Sequence, residues 1–106
     1  MLHEDRIFRA LADPTRRAVL ERLMARGQAS VKELTARFDV SQPAISQHLA
    51  TLEEAGLVAS SREGRHAYYR VDPRGLRPLV SWIARYRFFW REKLPRLEAL
   101  LEEMDE

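Results

Sequence analysis

The stretch that decides the fold runs from Ser30 to Gly56 and reads SVKELTARFDVSQPAISQHLATLEEAG. Its pattern predicts two short helices joined by a tight turn. Ser30 is expected to cap the first helix, with Glu33 three residues later completing a capping box. Ser41 is expected to cap the second helix, and Gly56 to end it as the C′ glycine. Two short helices in this order are typical of a helix-turn-helix, which we predict over residues 30–55.

The second helix of this motif has an apolar side and an uncharged polar side. Ile45, Leu49 and Leu52 recur at helical spacing and are expected to face the core. A recognition helix presents its N-terminal residues to base edges, where Gln and Ser side chains pair with bases, and a helix start attracts phosphate. The residues of this helix predicted to contact DNA are Ser41, Gln42, Pro43, Ala44, Ser46, Gln47 and His48. For His48 two partners remain open, a DNA phosphate and a neighbouring backbone group.

Residues 57–71 predict a β-hairpin directly after the recognition helix, with its turn at Glu63-Gly64-Arg65. Its buried side is expected to consist of Val58, Tyr69 and Val71. Positive charge gathers at the tip and outer side, on Arg62, Arg65, His66 and Arg70. A basic hairpin in this place is typical of a wing that contacts the DNA backbone or the minor groove. We therefore predict that Arg62, Arg65 and His66 contact DNA; the alternative is a hairpin that only closes the core.

The two ends of the chain, residues 1–12 and 76–104, predict helices with long apolar stripes. The C-terminal stripe exceeds what so small a domain needs internally, which indicates a two-fold dimer through these terminal helices. The predicted interface residues are Ile7, Leu11, Leu79, Ile83, Trp90, Leu94, Leu97 and Leu101. Pro95 is expected to kink the C-terminal helix, or to end it and begin another.

Between these segments, Asp13-Pro14 predicts the start of a further helix that ends at Gly27. Arg16 and Arg17 lie on its first turn. Two interpretations of these arginines stay open: contact with DNA phosphate, or pairing with Asp13 or Glu21.

These motifs together resemble those of the ArsR-type winged-helix transcriptional regulators over essentially the whole chain. The resemblance rests on Glu33-Leu34 and on four stretches: LADPTRRAVL at 11–20, SQPAISQHL at 41–49, LEEAGLV at 52–58 and GRHAYYRV at 64–71. It implies a homodimeric bacterial repressor whose outer helices form the dimer interface. The expected fold is mainly α with a small β-hairpin, in the order α-α-α-α-β-β-α.

Composition agrees with one soluble DNA-binding domain of residues 1–106. The formal net charge is +2, but residues 92–106 hold six acidic and two basic side chains, so residues 1–91 carry +6. The part predicted to bind DNA is therefore more basic than the total suggests. The chain contains no cysteine, which excludes disulfides and thiolate metal sites. Without an apolar span or a signal region, a cytoplasmic location is expected.

Other functions have little support in the sequence. The Cys or Asp/His metal sites that the resemblance implies have no ligands here, since residues 31–37 lack cysteine and residues 76–91 lack Asp, Glu, His and Cys. A site at His3, Glu4 and Asp5 is the weak alternative, and no metal or cofactor is expected. No catalytic triad, paired carboxylates or phosphate loop can be assembled, so the chain is not expected to be an enzyme.

Two alternatives to a ligand-free repressor stay open. One is a winged-helix module that binds another protein. The other is a repressor whose unknown small-molecule effector is apolar and binds an aromatic pocket. The candidate lining of that pocket is Trp82, Tyr86, Phe88, Phe89 and Trp90.

Overall fold

The computed structural model describes residues 3–105 and is mainly helical with one small antiparallel sheet. In chain order its elements are α1 (His3–Leu11), α2 (Pro14–Arg26), β1 (Ala29–Ser30), α3 (Val31–Thr35), α4 (Gln42–Glu54), β2 (Val58–Glu63), β3 (His66–Val71), a 3₁₀ helix (Pro73–Leu76), α5 (Arg77–Arg85) and α6 (Arg87–Asp105). The predicted mainly α winged helix-turn-helix is confirmed. Two details differ: the sheet has a third strand, β1, and the last helix is divided into α5 and α6.

The helix starts form as their side chains predict. The Ser30 Oγ accepts from the Glu33 backbone N–H at 3.1 Å, and the Glu33 carboxylate accepts from the Ser30 N–H at 3.1 Å, which completes the capping box. Asp13 caps α2 by accepting from the Arg16 N–H at 2.9 Å. Ser41 caps α4 by accepting from the Ala44 N–H at 3.3 Å. These side chains satisfy helix N–H groups that would otherwise lack partners.

The end of α4 is a Schellman motif. The Gly56 N–H donates to the Glu53 carbonyl, and the Leu57 N–H donates to the Leu52 carbonyl, each at 3.0 Å. Gly56 has a φ of +81°, which a residue with a Cβ adopts only at a cost. The predicted C′ glycine is therefore confirmed, and it turns the chain directly into β2.

The core lies where α2, α3 and α4 meet the sheet. Its fully buried apolar residues are Ile7, Ala10, Val19, Leu20, Leu23, Ala29, Leu34, Ile45, Leu49, Leu52, Leu57 and Val58. The three residues of α4 predicted to face inward, Ile45, Leu49 and Leu52, are all at 0% exposure. The prediction that Ile7 forms part of a dimer interface is wrong, because this α1 side chain is itself enclosed by the core of its own chain.

The third strand, β1, was not expected from the sequence. Ala29 and Ser30 pair antiparallel with Tyr69 and Tyr68 of β3, so that β3 is the central strand of the sheet. A strand of two residues is too short to show alternation. It forms because the chain between α2 and α3 passes beside the exposed edge of the hairpin.

The C-terminal segment breaks at a different residue from the one expected. Pro95 lies inside α6, which continues through it, whereas the helix is interrupted at Tyr86 with φ −104° and ψ 22°. The wing hairpin turns where predicted, but Glu63 pairs with His66 inside the ladder, so the loop has two residues, with Gly64 at φ +65° as a tight hairpin turn requires. No helix within residues 3–105 combines the length and the apolar character that crossing a bilayer would need.

Among the glycines of the structure, Gly75 has the least space for a side chain. A Cβ at this position would lie 1.7 Å from the carbonyl oxygen of Gly56, so the 3₁₀ helix crosses the end of α4 with no room for a side chain. Gly64, in contrast, has open space around its Cβ position and a positive φ of +65°.

We expect Gly75→Ala to lower the free energy of unfolding by at least about 3 kcal/mol, because backbone atoms must move to relieve the clash. Gly64→Ala is the matched control, with an expected loss of about 1 kcal/mol from its positive φ alone. Urea denaturation followed by circular dichroism measures both. Equal losses for the two variants would contradict the close packing of Gly75 on Gly56.

Candidate DNA-binding surface

The polar side of α4 is displayed to solvent while its apolar side is held in the core. Gln42, Pro43, Ser46 and Gln47 are exposed, and Ala44 and His48 at the flanks are half-buried. Burial of Ile45 and its two apolar partners sets the rotation of the helix about its own axis. The residues predicted to read bases are consequently presented outward together, at the N-terminal half of α4.

The wing stands beside the start of α4. A cleft of about 340 Å³ separates it from the helix-turn-helix, and its lining brings Gln42 together with Lys32, Arg65 and His66. Lys32, an exposed residue in the first turn of α3, was not among the predicted DNA contacts. The signal that could have found it is the charge of a lysine two residues after the Ser30 cap, on the helix that precedes the recognition helix.

The cations of the wing are divided between the two faces of the hairpin. Arg62 pairs with Ala67 and shares a face with the core-side residues, whereas His66 and Arg70 lie on the opposite face. Arg65 is in the turn itself. The prediction that all four gather at the tip and outer side is therefore corrected for Arg62, which lies on the core-side face of the hairpin.

Direct contacts join the wing to the recognition helix. The Ser60 hydroxyl of β2 donates to the Glu53 carboxylate of α4 at 2.8 Å. Together with the turn at Gly56, this bond ties the hairpin to the C-terminal end of α4. The two parts of the candidate surface thus form one unit.

His48 lies close to the start of α2. Asp13 has a pKa below its usual range, mainly because its carboxylate accepts from the Arg16 backbone N–H, and the nearby His48 lowers that pKa further. Contact of His48 with a DNA phosphate or with a neighbouring backbone group stays a prediction.

Of the two arginines on the first turn of α2, Arg17 does not form the predicted pair with a carboxylate, and contact of either arginine with DNA phosphate stays a prediction. The Arg17 guanidinium donates to the Leu11 carbonyl at 2.6 Å and to the Ala12 carbonyl at 3.4 Å, at the end of α1. Neither Asp13 nor Glu21 is its partner. The Arg16 Nε is enclosed and has no hydrogen-bond partner within the described residues.

The aromatic residues near the C-terminus form a face and not an enclosed pocket. Trp82 packs edge-on against Phe8 of α1 at 5.3 Å between ring centroids, and Phe88 points into solvent at 77% exposure. A cavity beside Trp90 is lined by none of the other four aromatic residues. An apolar effector at these residues stays a prediction.

No cluster of three potential metal ligands exists among the residues that the structure describes. The alternative metal site at the N-terminus depends on the side chain of His3, which lies outside the described residues.

Comparison with known proteins agrees with this geometry. A family model described as a helix-turn-helix domain matches residues 11–61. An HTH-type transcriptional regulator of Mycobacterium tuberculosis, Rv2034, is 43% identical over 92% of this chain and 88% of its own length. The arsenical resistance operon repressor of Escherichia coli is 32% identical over 92% of this chain and 81% of its own length. An ArsR-like transcriptional regulator from Rhodococcus sp. RHA1 has a similar solved structure, with 32% identity, a TM-score of 0.73 and 92% coverage of both chains.

The chain belongs to the ArsR family of winged helix-turn-helix transcriptional regulators. It is accordingly a DNA-binding regulator of transcription. In this family member, α3 and α4 form the helix-turn-helix and the β2–β3 hairpin is the wing. We use the name recognition surface for the solvent-facing side of α4 and its cap together with four basic residues. Its members are Ser41, Gln42, Pro43, Ala44, Ser46, Gln47, His48, Lys32, Arg62, Arg65 and His66.

The capping box that starts the helix-turn-helix makes stability depend on pH. The pKa of Glu33 is below its usual range of about 4.5, first because the Ser30 backbone N–H donates to it, then because of the Ser30 hydroxyl and the Arg26 guanidinium. A carboxyl whose pKa is lowered by folding stabilises the fold above its unfolded pKa, and this contribution is lost as the pH falls through the folded pKa.

We expect Glu33→Gln to reduce stability at neutral pH and to flatten the decline of stability in acid below about pH 4.5. Glutamine retains the capping-box geometry, so the variant isolates the carboxylate charge. Thermal denaturation across a pH series measures the effect, with Glu21→Gln on α2 as the control. If both variants follow the wild-type pH profile, the Glu33 interaction with Ser30 and Arg26 does not contribute to stability.

Proposed function

We propose that this chain is a homodimeric, cytoplasmic repressor that binds an inverted-repeat operator in double-stranded DNA. The observation that carries the proposal is the recognition surface, in which uncharged polar residues of α4 stand beside basic residues of the wing and Lys32. In this proposal, Gln42, Ser46 and Gln47 read bases in the major groove. Lys32, Arg62, Arg65 and His66 hold phosphates.

The charge distribution supports DNA as the partner. The exposed residues of α4 from Gln42 to Thr51 include no carboxylate that would repel phosphate. The cleft between α4 and the wing gathers Lys32 and Arg65 around Gln42. A protein partner would favour apolar anchors at this place, as hot spots in protein interfaces require. The protein–protein module is for this reason the weaker alternative.

The second copy in the proposal is supported by the terminal helices. α1 and α5 pack together through a Glu4–Arg85 ion pair of 2.7 Å and the contact between Phe8 and Trp82. The outer side of this pair leaves Phe8, Ile83 and other apolar side chains between 40% and 62% exposed. Such a contiguous apolar surface is typical of an interface. Leu11 and Leu79 lie beneath it, half-buried against the core.

Helix α6 extends the same surface. Trp90, Leu94, Leu97, Leu101 and Met104 follow one another at alternating four- and three-residue steps, the spacing of a coiled-coil seam. The radius of gyration of 17.0 Å exceeds the roughly 13 Å expected for a compact domain of this length, because α6 projects from the body. A second copy of the same chain is the partner that covers the seam with two-fold symmetry.

Two-fold symmetry defines the operator. Two copies of α4 would enter successive major grooves roughly 34 Å apart, so each half of the operator repeats the other in inverted order. The repressor would occupy both half-sites together. Its occupancy in the cell would then depend on dimer concentration and on any ligand that changes the geometry of the pair.

We expect Gln47→Ala to reduce discrimination between bases by about 1–3 kcal/mol at one position in each half-site. Arg65→Ala is expected to weaken binding to all sequences alike and to lower the salt slope by about one. DNA fragments that co-purify with the protein supply the operator. Titration of that duplex and of base-substituted duplexes at several salt concentrations measures both effects.

Arg96→Ala on the polar side of α6 is the control for loss of one positive charge, and its affinity and salt slope are expected to match the wild type. Equal affinity of the wild type for every duplex would contradict base reading by α4. Unchanged salt dependence in Arg65→Ala would contradict a phosphate contact by the wing.

We expect Leu97→Glu to convert the dimer into monomers and to abolish binding to the paired half-sites, because a carboxylate would be buried in the seam of α6. Light scattering after gel filtration measures the mass, which should fall from twice 12.4 kDa to 12.4 kDa. Met24→Glu is the control, since Met24 is an apolar side chain that is 51% exposed and belongs to α2, outside the terminal helices. A monomeric wild type, or a dimeric Leu97→Glu variant, would contradict the proposed interface.

A further inference from the structure

A second basic concavity lies on the other side of α4, away from the wing. It is a cleft of about 520 Å³ bounded by α1, by the first turn of α2 and by the C-terminal half of α4. Its lining residues are Arg6, Arg9, Ala10, Arg16, Thr51, Glu54 and Ala55. Because Ala10 and Ala55 carry only methyl groups, α1 and α4 leave open space between them.

The charge of this cleft is unbalanced. Three guanidinium groups, from Arg6, Arg9 and Arg16, converge on it from two helices, against the single carboxylate of Glu54. None of the three forms an ion pair within residues 3–105, and the Asp13 carboxylate, whose pKa the Arg16 charge lowers, is not among the residues that line the cleft. Concave surfaces lined by one sign of charge focus the electrostatic field and concentrate ions of the opposite sign.

Arg16 supplies a separate indication of a missing partner. Its Nε is shielded from solvent and donates to no acceptor in the described part of the chain. Buried polar groups in proteins are almost always hydrogen-bonded, so an unsatisfied guanidinium nitrogen in a cleft indicates an acceptor that binds there. Guanidinium groups bind carboxylates and phosphates in a bidentate manner.

We propose that this cleft binds a small organic molecule with two or more anionic groups, either a phosphate ester or a compound with several carboxylates. Its volume lies within the range of about 300–1,000 Å³ that is usual for small-molecule sites. Arg9 and Arg16 bind the anionic groups from opposite sides, and Arg6 contributes further positive charge. The methyl groups of Ala10 and Ala55 contact the carbon skeleton.

The position of the cleft distinguishes it from the recognition surface. Glu54 is seven residues beyond Gln47, which corresponds to roughly 10 Å along the helix axis. The cleft joins α4 to α1, and α1 packs on α5 through Phe8 and Trp82. A ligand held there contacts both the recognition helix and α1, so any difference between its affinities for the free and the DNA-bound protein changes the affinity for DNA by the same factor. This role as an effector site rests on the proposed function, whereas the binding site itself does not.

Isothermal titration calorimetry without DNA tests the site with citrate and with pyrophosphate as probes, at constant ionic strength. We expect millimolar or tighter binding of at least one probe to the wild type, and at least about tenfold weaker binding to Arg9→Gln, because a charge-assisted hydrogen bond is lost. Binding of citrate alone identifies a carboxylate ligand, and binding of pyrophosphate alone a phosphate ligand. Arg9 is exposed on α1, so its substitution leaves the core intact.

Arg96→Gln on α6 does not alter the lining of the cleft, so it is the matched control and should bind the probe as the wild type does. The proposal is overturned if neither probe binds, if Arg9→Gln binds the probe as tightly as the wild type, or if Arg65→Gln abolishes binding, since the probe would then bind at the recognition surface. Failure of both probes has a specific explanation if Arg6→Gln and Arg9→Gln lower the salt slope of DNA binding. The cleft would then hold DNA phosphate and not a small molecule. Because the titration contains no DNA, its failure leaves the proposed repressor function standing.

Discussion

The burial of one side of α4 is the constraint on which the rest of the structure depends. Ile45, Leu49 and Leu52 are completely enclosed by the core, and each contributes roughly 2 kcal/mol or more to folding by leaving water. Because total stabilities of small domains are only about 5–15 kcal/mol, this helix cannot rotate without unfolding the domain. The polar side of α4 is consequently held in one orientation, as a rigid scaffold for recognition requires.

Three kinds of contact then place the surroundings of α4. The Ser41 cap defines where the helix starts, and with it the row of N–H groups directed toward a phosphate. The Schellman turn at Gly56 directs the chain into β2, and the bond between Ser60 and Glu53 holds the hairpin to the helix. The position of the wing, and with it the position of its charged residues, therefore depends on the geometry at the end of α4.

The two basic regions of the molecule occupy different ends of the same helix. The N-terminal half of α4 stands beside Lys32 and Arg65, while its C-terminal half borders the cleft with Arg9 and Arg16. In the proposed dimer, α1 connects this second region to the apolar surface of α5. In this proposal α4 contacts DNA with its N-terminal half and a small anion with its C-terminal half, and α1 connects the anion to the partner subunit. The ligands of the metal sites that the family resemblance implies are absent from the sequence.

Much of the helix-turn-helix was determined by the sequence itself. The capping box at Ser30, the inward side of α4 and the glycine turn at Gly64 depend on residues only a few positions apart, and local chemistry was sufficient to predict them. The outward placement of Gln42, Ser46 and Gln47 on α4 was predicted equally well, because exposure follows from helical phase. It was predicted less well on the wing, because the faces taken by Arg62 and Arg70 depend on the pairing register.

Only the tertiary structure decided the features that join distant parts of the chain. β1 exists because Ala29 meets Tyr69, and Ile7 belongs to the core because α1 packs against α2. The need for glycine at position 75 arises from its contact with Gly56, nineteen residues earlier. The arginine cleft likewise requires α1, α2 and α4 to meet. Such contacts leave no local pattern, since neither partner shows in its own neighbourhood what the folded chain places against it.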